Sequence, residues 1–446
     1  MNKMHIYNKL PVSLQNIACS LEGLRIEKQR FGRVFNEKFQ EYKETGKLRG
    51  EELRNLQNRK LCTIIDHCYQ TVPYYQNLFK SLGITNNDIR TVGELEALPI
   101  LTRDDVKQHS NELVSTVVPA GARYIHNTGG TTGSGLGFWT THKEEGEQWA
   151  VWWRYRDDIG IKRGDWCALL NGKVIVPVNV GKPPFWRVNM PGRQVFFSAA
   201  HLNKETVDLY VKEIRDRKIR WLHGYPTLIA QFASLVIEKG IDLDLDMVTL
   251  GSENLTENQK NSIRRAFRVN PFQHYGLTEG VANFSQRQDG TMRVDEDFSY
   301  VEFIPTEFGT SIVGTTFTNF AMPLLRYDTG DYGVLDERQD GGFRIIKSLD
   351  GRSSDAIIRK DGSRVSSAAI SLIFNSFAEI AQAQIVQKQD TLSVRLVLIE
   401  NMSQTRKTEL VNKFKERVHE DFSIEILEVD SLEKTKNGKA RLVINE

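Results

Sequence analysis

NTGGTTGSGLG, residues 127–137, places five glycines and four hydroxyl side chains between two β-prone stretches. Glycine lets the backbone turn its amides toward an anion and Thr and Ser hydroxyls add donors, so the segment reads either as a phosphate cradle or as a surface loop or hairpin turn. Two familiar phosphate loops are excluded. No Gly-Lys-Ser/Thr ends the segment, as a Walker A loop requires, and Phe138 stands where the third glycine of G-x-G-x-x-G would fall.

On the N-terminal side, residues 13–70 are rich in Leu, Lys, Glu, Arg and Gln. Leu53, Leu56, Leu61, Ile64 and Ile65 recur at helical intervals, which predicts two or three helices. In LPILTRDDV, Thr102 precedes Asp105 by three residues, the pattern of an N-cap before an acidic first turn. On the C-terminal side, short β-prone runs (FWTT, CALLNG, KVIVPV, RQVFFSA, IRWLHG, MVTLG) alternate with helical patterns at 204–218 and 227–239, the texture of an α/β domain. Strands become denser between 291 and 336, in SYVEFIPTE, SIVGTTFTN and YGVLDER. Gly- and Asp-rich turns then cluster at RQDGG, SLDGRSSD and RKDGSR.

The predicted organisation is therefore a large, multi-layer α/β N-terminal domain, 1–349, helical to about residue 120 and carrying a β-rich subdomain. A small α+β C-terminal domain, 350–446, follows, with helices at 367–377 and 403–422 and strands at LSVRLVLIE and IEILEV. No internal repeat interrupts this order.

The 446 residues carry 59 Lys+Arg against 57 Asp+Glu, a formal charge of +2, and 40% of them are hydrophobic. That balance gives no bulk attraction to nucleic acid or anionic membrane. Cys19, Cys62, Cys68 and Cys167 form no C-x-x-C pair, so reduced thiols are expected, with Cys167 buried in a strand. The first 23 residues lack the apolar core of a secretory signal, and the chain never runs roughly 18 residues without charge. A cytoplasmic protein with no membrane span is the expectation.

Further segments carry chemistry. VTLGSENL (248–255) runs a short strand into Gly251, Ser252 and Glu253, where ligands of open α/β sheets gather. HYGLTEG (274–280) brings together an aromatic ring, a Thr hydroxyl and a carboxylate. Tyr275 can stack on a nucleobase and Glu279 can hold Mg²⁺, while His274 alone reads as a structural hydrogen bonder. In LLRYDTGD (324–331), GRSSD (351–355) and TKNGKARLV (435–443), Asp331 can accept from ribose hydroxyls, Arg352 can pair with phosphate and Lys439 can neutralise charge on a reacting phosphate. Each alone is equally a solvated charge in a turn.

In order along the chain, these elements resemble the adenylate-forming superfamily of acyl-CoA synthetases, luciferases and peptide-synthetase adenylation domains. The sequence is most similar to phenylacetate–CoA ligase and to CapK-like capsular polysaccharide biosynthesis proteins. The resemblance spans about 72–441: VPYYQ, LPILTRDDV, TGGTTGSGLGF, PPFWRVN, FFSAAHL, HGYPT, LGSENL, YGLTE, MPLLRYDTGD, GRSSD and NGKAR.

The resemblance implies an ATP site split between two domains, the smaller one mobile. Thr128, Gly129, Gly130, Thr131, Thr132 and Gly133 would wrap the β- and γ-phosphates. Gly251, Ser252 and Glu253 would border the adenine, with Tyr275 stacked on it beside Gly276. Thr278 would face the α-phosphate, Glu279 would hold Mg²⁺, Asp331 would bind the ribose with Arg352 nearby, and Lys439 would be the mobile catalytic lysine. It also implies a carboxylic acid substrate activated as an acyl-adenylate, a thiol, amine or hydroxyl acceptor with coenzyme A among the candidates, and by analogy a homodimer with a role in cell-envelope polysaccharide synthesis.

The sequence departs from that pattern at Ser354, where many relatives have Asp and which Asp355 follows, so that the hinge is expected one residue away or softer; Asp361 and Ser366–Ser367 lean toward the polysaccharide-associated branch and put coenzyme A in question. His223 and Tyr225 come from a segment that approaches substrate in relatives, although His223 equally suits a buried backbone partner, and Trp186 and Phe197 read more as core. Two alternatives stand beside the ligase: an adenylyltransferase that leaves AMP on an acceptor hydroxyl, and a decayed nucleotide-binding protein. Joint retention of the Thr/Gly loop, Glu279, Asp331, Arg352 and Lys439 argues against decay.

Overall fold

The computed structural model describes residues 3–127, 136–307, 309–352, 356–360, 363–365, 367–418, 422–435 and 438–446. The mixed α/β chain forms two compact units: Met1–Arg25 with Arg163–Gln273 and Asp350–Glu446, and Ile26–Lys162 with His274–Leu349.

In the first unit, strands Met247–Gly251, Trp221–Gly224, Cys167–Leu170, Gln194–Phe197 and Trp186–Asn189 lie side by side in that order. The first four run parallel and the last is an antiparallel edge. CALL is buried along its whole length, Cys167 included, as expected of a strand covered on both faces. Helices Val207–Asp216, Pro226–Glu238 and Glu257–Phe267 supply the cover. Proline opens the second of these, where a missing N–H costs nothing, and Thr256 with Gln259 caps the third reciprocally.

KVIVPV forms no strand. Pro177 cannot donate to a ladder, a turn bonds Val180 N–H to the Pro177 carbonyl, and only Val176 of its valines is buried while Val174 and Val178 face solvent. The β-branched composition was right for a strand, but the segment has no partner among the described residues.

Helix Val12–Arg30 lies along the edge strand with its polar side inward. Asn16 Oδ1 accepts from Val188 N–H at 2.9 Å, Ser20 Oγ accepts from Met190 N–H at 3.2 Å, and Gln15 Oε1 accepts from Arg187 Nε at 2.5 Å. Gly23 is required there, since a Cβ would fall 2.0 Å from Asn189 Oδ1. Leu14, Ile17, Leu21 and Leu24 point outward, inverting the usual polarity of a surface helix.

The C-terminal part of this unit is a four-stranded sheet, ordered Ser423–Glu428, Thr391–Leu398, Ile380–Lys388, Val443–Asn445. Helices Ser367–Phe374 and Gln404–Val418 share a core with it built on Ile370, Phe374, Leu410 and Phe414. Asn258, from helix Glu257–Phe267, directs its amide nitrogen at the carbonyls of Phe374, Phe377 and Ile380 at 3.0–3.1 Å, fastening this sheet beside that helix.

The second unit is β-rich. Strands Ser299–Thr306, Gly309–Thr316, Tyr327–Asp340, Phe343–Arg352, Met292–Val294 and Asn283–Gln286 are neighbours in that order, and His274–Gly276 pairs antiparallel with the last. Helices Arg33–Thr45 and Gly50–Thr71, with Val12–Arg30, realise the helical periodicity read from 13–70, and Pro73–Leu82 follows them in sequence. Leu61, Ile64 and Ile65 enter one core with Phe284, Val301 and Ile312. Thr102 caps helix Arg103–Gln108, with Asp105 returning a bond to its backbone.

At the centre of this unit Arg154, on helix His142–Asp158, is 2% exposed. Its guanidinium donates to Asp297 at 2.5 Å, to Asp295 at 2.7 Å and to the Tyr42 carbonyl at 3.0 Å. Burial opposes ionisation of Asp297, yet the Arg154 charge and hydrogen bonds keep its carboxyl below the usual range. Asp297→Ala should therefore lower unfolding free energy by about 3 kcal/mol, because it leaves the buried guanidinium with Asp295 alone as its carboxylate partner. The urea midpoint measures this, and a loss below about 1 kcal/mol would contradict the pairing.

Candidate active site

In the first unit backbone contacts hold residues 434 and 435 against 438–440 in one hairpin. Thr435 N–H bonds the Lys439 carbonyl at 2.8 Å, Gly438 N–H bonds the Thr435 carbonyl at 2.8 Å, and Lys434 bridges Ala440. Gly438 has φ +75°, and a Cβ on it would meet Gly172 Cα at 2.4 Å. Glycine is thus dictated twice in NGK, by the left-handed backbone and by the close approach to Gly172. The turn carries Lys439 to a place where Nζ lies 5.7 Å from the centre of the Tyr225 ring. A backbone hydrogen bond from Gly172 reaches Tyr225, whose phenol burial pushes up.

Glu253 faces the same hairpin. Its Oε2 accepts from Thr227 Oγ1 at 2.7 Å and Thr227 N–H at 3.2 Å, and its Oε1 accepts from Ala440 N–H at 3.1 Å. Desolvation pushes the Glu253 carboxyl up, opposed by the Thr227 bonds and the Lys439 charge. Lys434 donates to Gln231 Oε1 at 3.2 Å, and burial pulls its ammonium down. Ser252 is exposed and holds φ +70°, a left-handed backbone that costs an L-residue about 1–2 kcal/mol. His223 Nδ1 lies 2.9 Å from Thr249 Oγ1 and 3.1 Å from the Thr249 carbonyl, the backbone partner expected of a structural histidine.

The second unit brings Tyr275 and Asp331 together. The tyrosine hydroxyl donates to Asp331 Oδ2 at 2.9 Å, and one face of its ring stacks on Phe284, centroids 4.6 Å apart. Asp331 is held by the TGD turn: Gly330 has φ +70° and Thr329 Oγ1 accepts from Asp331 N–H at 3.1 Å. Thr278 is exposed and Glu279 buried. Gly276 has no room for a side chain, because a Cβ would lie 2.8 Å from the His274 ring. His274 itself is structural: Nε2 donates to Asn283 Oδ1 at 2.9 Å, and the ring stacks on Tyr155.

Thr128, Gly129, Gly130, Thr131, Thr132 and Gly133 lie outside the described residues, as do Ser354, Asp355, Asp361, Ser366 and the side chain of Arg352. Trp186 and Phe197 pack in the core with Tyr210. Reading the chain did not single out Thr227, Gln231 or Lys434. HGYPT and TKNGKAR contain or adjoin them, but no local pattern announces contacts so distant in sequence. Among the described residues, no three His, Cys, Asp or Glu side chains cluster as a metal cage, and no helix is long and apolar enough to cross a membrane.

This architecture is that of the adenylate-forming ligases. A 2-hydroxyisobutyryl-CoA ligase, solved in the postadenylation state with R3-HIB-AMP, superposes with a TM-score of 0.69 over 90% of each chain at 15% identity. The relatives carry the resemblance further, to AMP-forming ligases of the phenylacetate–CoA ligase kind. Protein CapK of Staphylococcus aureus is 25% identical over 99% of both chains, and phenylacetate-coenzyme A ligase of Aromatoleum evansii is 24% identical over 69% of this chain and 72% of its own. Residues 357–446 match the CapK C-terminal domain family.

Gly438→Ala should destabilise the protein more than Gly240→Ala. Both positions are left-handed, but only Gly438 would place its Cβ against a neighbour, whereas nothing lies within 4 Å at Gly240. Thermal melts of the two variants measure the difference, and equal losses would deny the close approach.

Burial, aided by the Arg156 charge, pushes His274 from 6.5 down to about 3. The unfolded chain then takes up a proton near its ordinary value that the folded chain refuses. The contribution is complete above about pH 6.5 and is lost as pH falls toward 3. His274→Gln should flatten stability against pH between 6.5 and 4 by up to about 1.4 kcal/mol per pH unit, read from urea midpoints. An unchanged slope would contradict a buried neutral imidazole.

Proposed function

We propose that the protein joins a carboxylic acid to AMP and then passes the acyl group to a thiol, amine or hydroxyl. What supports this most is the placement of Lys439, on a glycine-tightened turn beside Tyr225 and Glu253, in a chain with the fold of adenylate-forming ligases.

A carboxylate approaching the α-phosphorus of ATP brings two anions together. The difficulty is one of charge and positioning, and a lysine ammonium offered to both reduces the repulsion. One carboxylate oxygen bonds to the α-phosphorus, the bond from that phosphorus to the oxygen bridging to the β-phosphorus breaks, and pyrophosphate leaves with the electron pair. In the second step the acceptor attacks the acyl carbon, AMP departs, and the acceptor's proton passes to solvent. Segment 350–446 is assigned as the mobile domain that withdraws Lys439 between the steps.

The side chains proposed for the nucleotide are Tyr275 and Gly276 at the base, with Gly251 and Ser252 at its border. Asp331 is proposed at the ribose hydroxyls, its carboxylate oriented by the Tyr275 hydroxyl. Thr278 is assigned to the α-phosphate, and Arg352 and the 128–133 loop to phosphate charge. A buried carboxylate suits Mg²⁺, which takes one or two protein carboxylates and completes its shell with phosphate and water. Glu279 is the residue proposed to hold it, where the ion would supply charge neutralisation on the phosphates.

Coenzyme A is proposed as one acceptor because the named relatives include CoA ligases, and a polysaccharide hydroxyl or amine because similarity to CapK covers the whole chain. His223 and Tyr225 are proposed near the acid, His223 as a fixed wall held by Thr249. A homodimer in the cytoplasm belongs to the same proposal.

The test is acid-dependent ATP–pyrophosphate exchange over a panel of carboxylic and amino acids, with the fate of AMP followed after acceptors are added. Exchange with AMP released supports the ligase, AMP retained on the product indicates an adenylyltransferase, and neither exchange nor ATP binding removes both. Lys439→Ala should lower exchange by about two orders of magnitude or more with the KM for ATP within about threefold, since the contact is made chiefly in the reacting state. A parallel loss of ATP binding would deny that role.

A further inference from the structure

The carboxylate of Glu253 is committed on both oxygens. Oε2 takes the side-chain hydroxyl and backbone N–H of Thr227, at the N-terminal end of helix Pro226–Glu238, and Oε1 takes the backbone N–H of Ala440, the residue after Lys439. Thr227 is itself tied from the other side, since Gln382 Nε2 donates to its carbonyl at 3.0 Å. The turn is seated on Gly172 by Gly438, and Lys434 is anchored to Gln231. Of the contacts made by residues 434, 438 and 440, the bond from Ala440 is the one accepted by a carboxylate. It acts one residue from the lysine, where a change in backbone position is transmitted to Nζ with the shortest lever.

We propose that Glu253 is a positioning residue which clamps the 434–440 hairpin through the Ala440 N–H and thereby holds Lys439 where the adenylate-forming step needs it. This rests on the reading of Lys439 given above. The clamp uses a backbone donor, so the side chain of residue 440 is not constrained by it. A carboxylate is suited to the task because it can serve Thr227 and Ala440 at once, and charge-assisted hydrogen bonds are roughly twice as strong as neutral ones. The Lys439 charge favours the ionised form of the same carboxylate, against the desolvation that opposes it. Release requires Ala440 to leave Oε1, and Thr227 then retains Glu253 in place for recapture.

The experiment compares the full-length protein with Glu253→Ala, Glu253→Gln and Thr227→Val. Amide hydrogen exchange of peptides covering 434–440 reads the hairpin without any substrate. Exchange of label between pyrophosphate and ATP reads the chemistry, using whichever panel acid the unmodified protein accepts. Glu253→Ala should speed hairpin exchange about tenfold or more with other peptides unchanged, and lower kcat about tenfold with the KM for ATP within about threefold. Glu253→Gln keeps one acceptor oxygen and should fall between. Thr227→Val leaves the carboxylate but loosens it, and it replaces Glu253→Ala as the test if that variant does not fold.

Unchanged hairpin protection in the variants overturns the clamp, whatever the activity. Faster hairpin exchange with unaltered kcat overturns the positioning role, as does a loss confined to the KM for ATP. If the unmodified protein supports exchange with no acid, the acyl-adenylate reading fails, while hairpin protection still decides whether Glu253 holds residue 440.

Discussion

A carboxylate taken out of water must be given donors or a cation, and the way this chain meets that demand fixes where its chemistry lies. Asp295 and Asp297 are answered by Arg154, which ties helix His142–Asp158 to the β-rich unit. Glu144 caps its own helix and also receives the backbone N–H groups of Phe320 and Ala321, tying that helix to the loop after strand Gly309–Thr316. Asp331 is answered by a tyrosine hydroxyl and Glu253 by Thr227 and Ala440. In each case a buried or half-buried carboxylate joins segments far apart in sequence, and removing the donor would leave it to be hydrated or neutralised.

Much of the architecture was legible because it follows local rules. The spacing of Leu53, Leu56, Leu61, Ile64 and Ile65 is helical, and all five are buried. Thr102 and Asp105 form the reciprocal cap that their spacing announces, and MVTLG and IRWLHG became neighbouring parallel strands. KVIVPV failed because β-propensity describes fitness for a pleated, half-buried surface, and here no strand is presented to it. Strand Ile380–Lys388 went unread for the opposite reason. Its glutamines break the apolar pattern, yet Gln382, Gln384 and Gln387 are buried, each donating to a backbone carbonyl.

The candidate site was legible as a set of residues and illegible as an arrangement. Composition and order pointed to Lys439, Asp331, Tyr275 and Glu253, but Glu253 meets Ala440 across 187 positions. His274 shows the converse. Amid residues of HYGLTEG that suit chemistry it reads as a structural hydrogen bonder, and a half-buried ring donating to Asn283 and lying against Tyr155 and Trp152 bears that out by packing.

The inward polar side of helix Val12–Arg30 has a consequence for handling the protein. Asn16 and Ser20 occupy main-chain groups that strand Trp186–Asn189 would otherwise display at the margin of its sheet. Stripped of residues 12–25, that strand would display unpaired main-chain groups at which the matching edge of another molecule could pair. The N-terminal helix thus shields one margin of the sheet from such pairing.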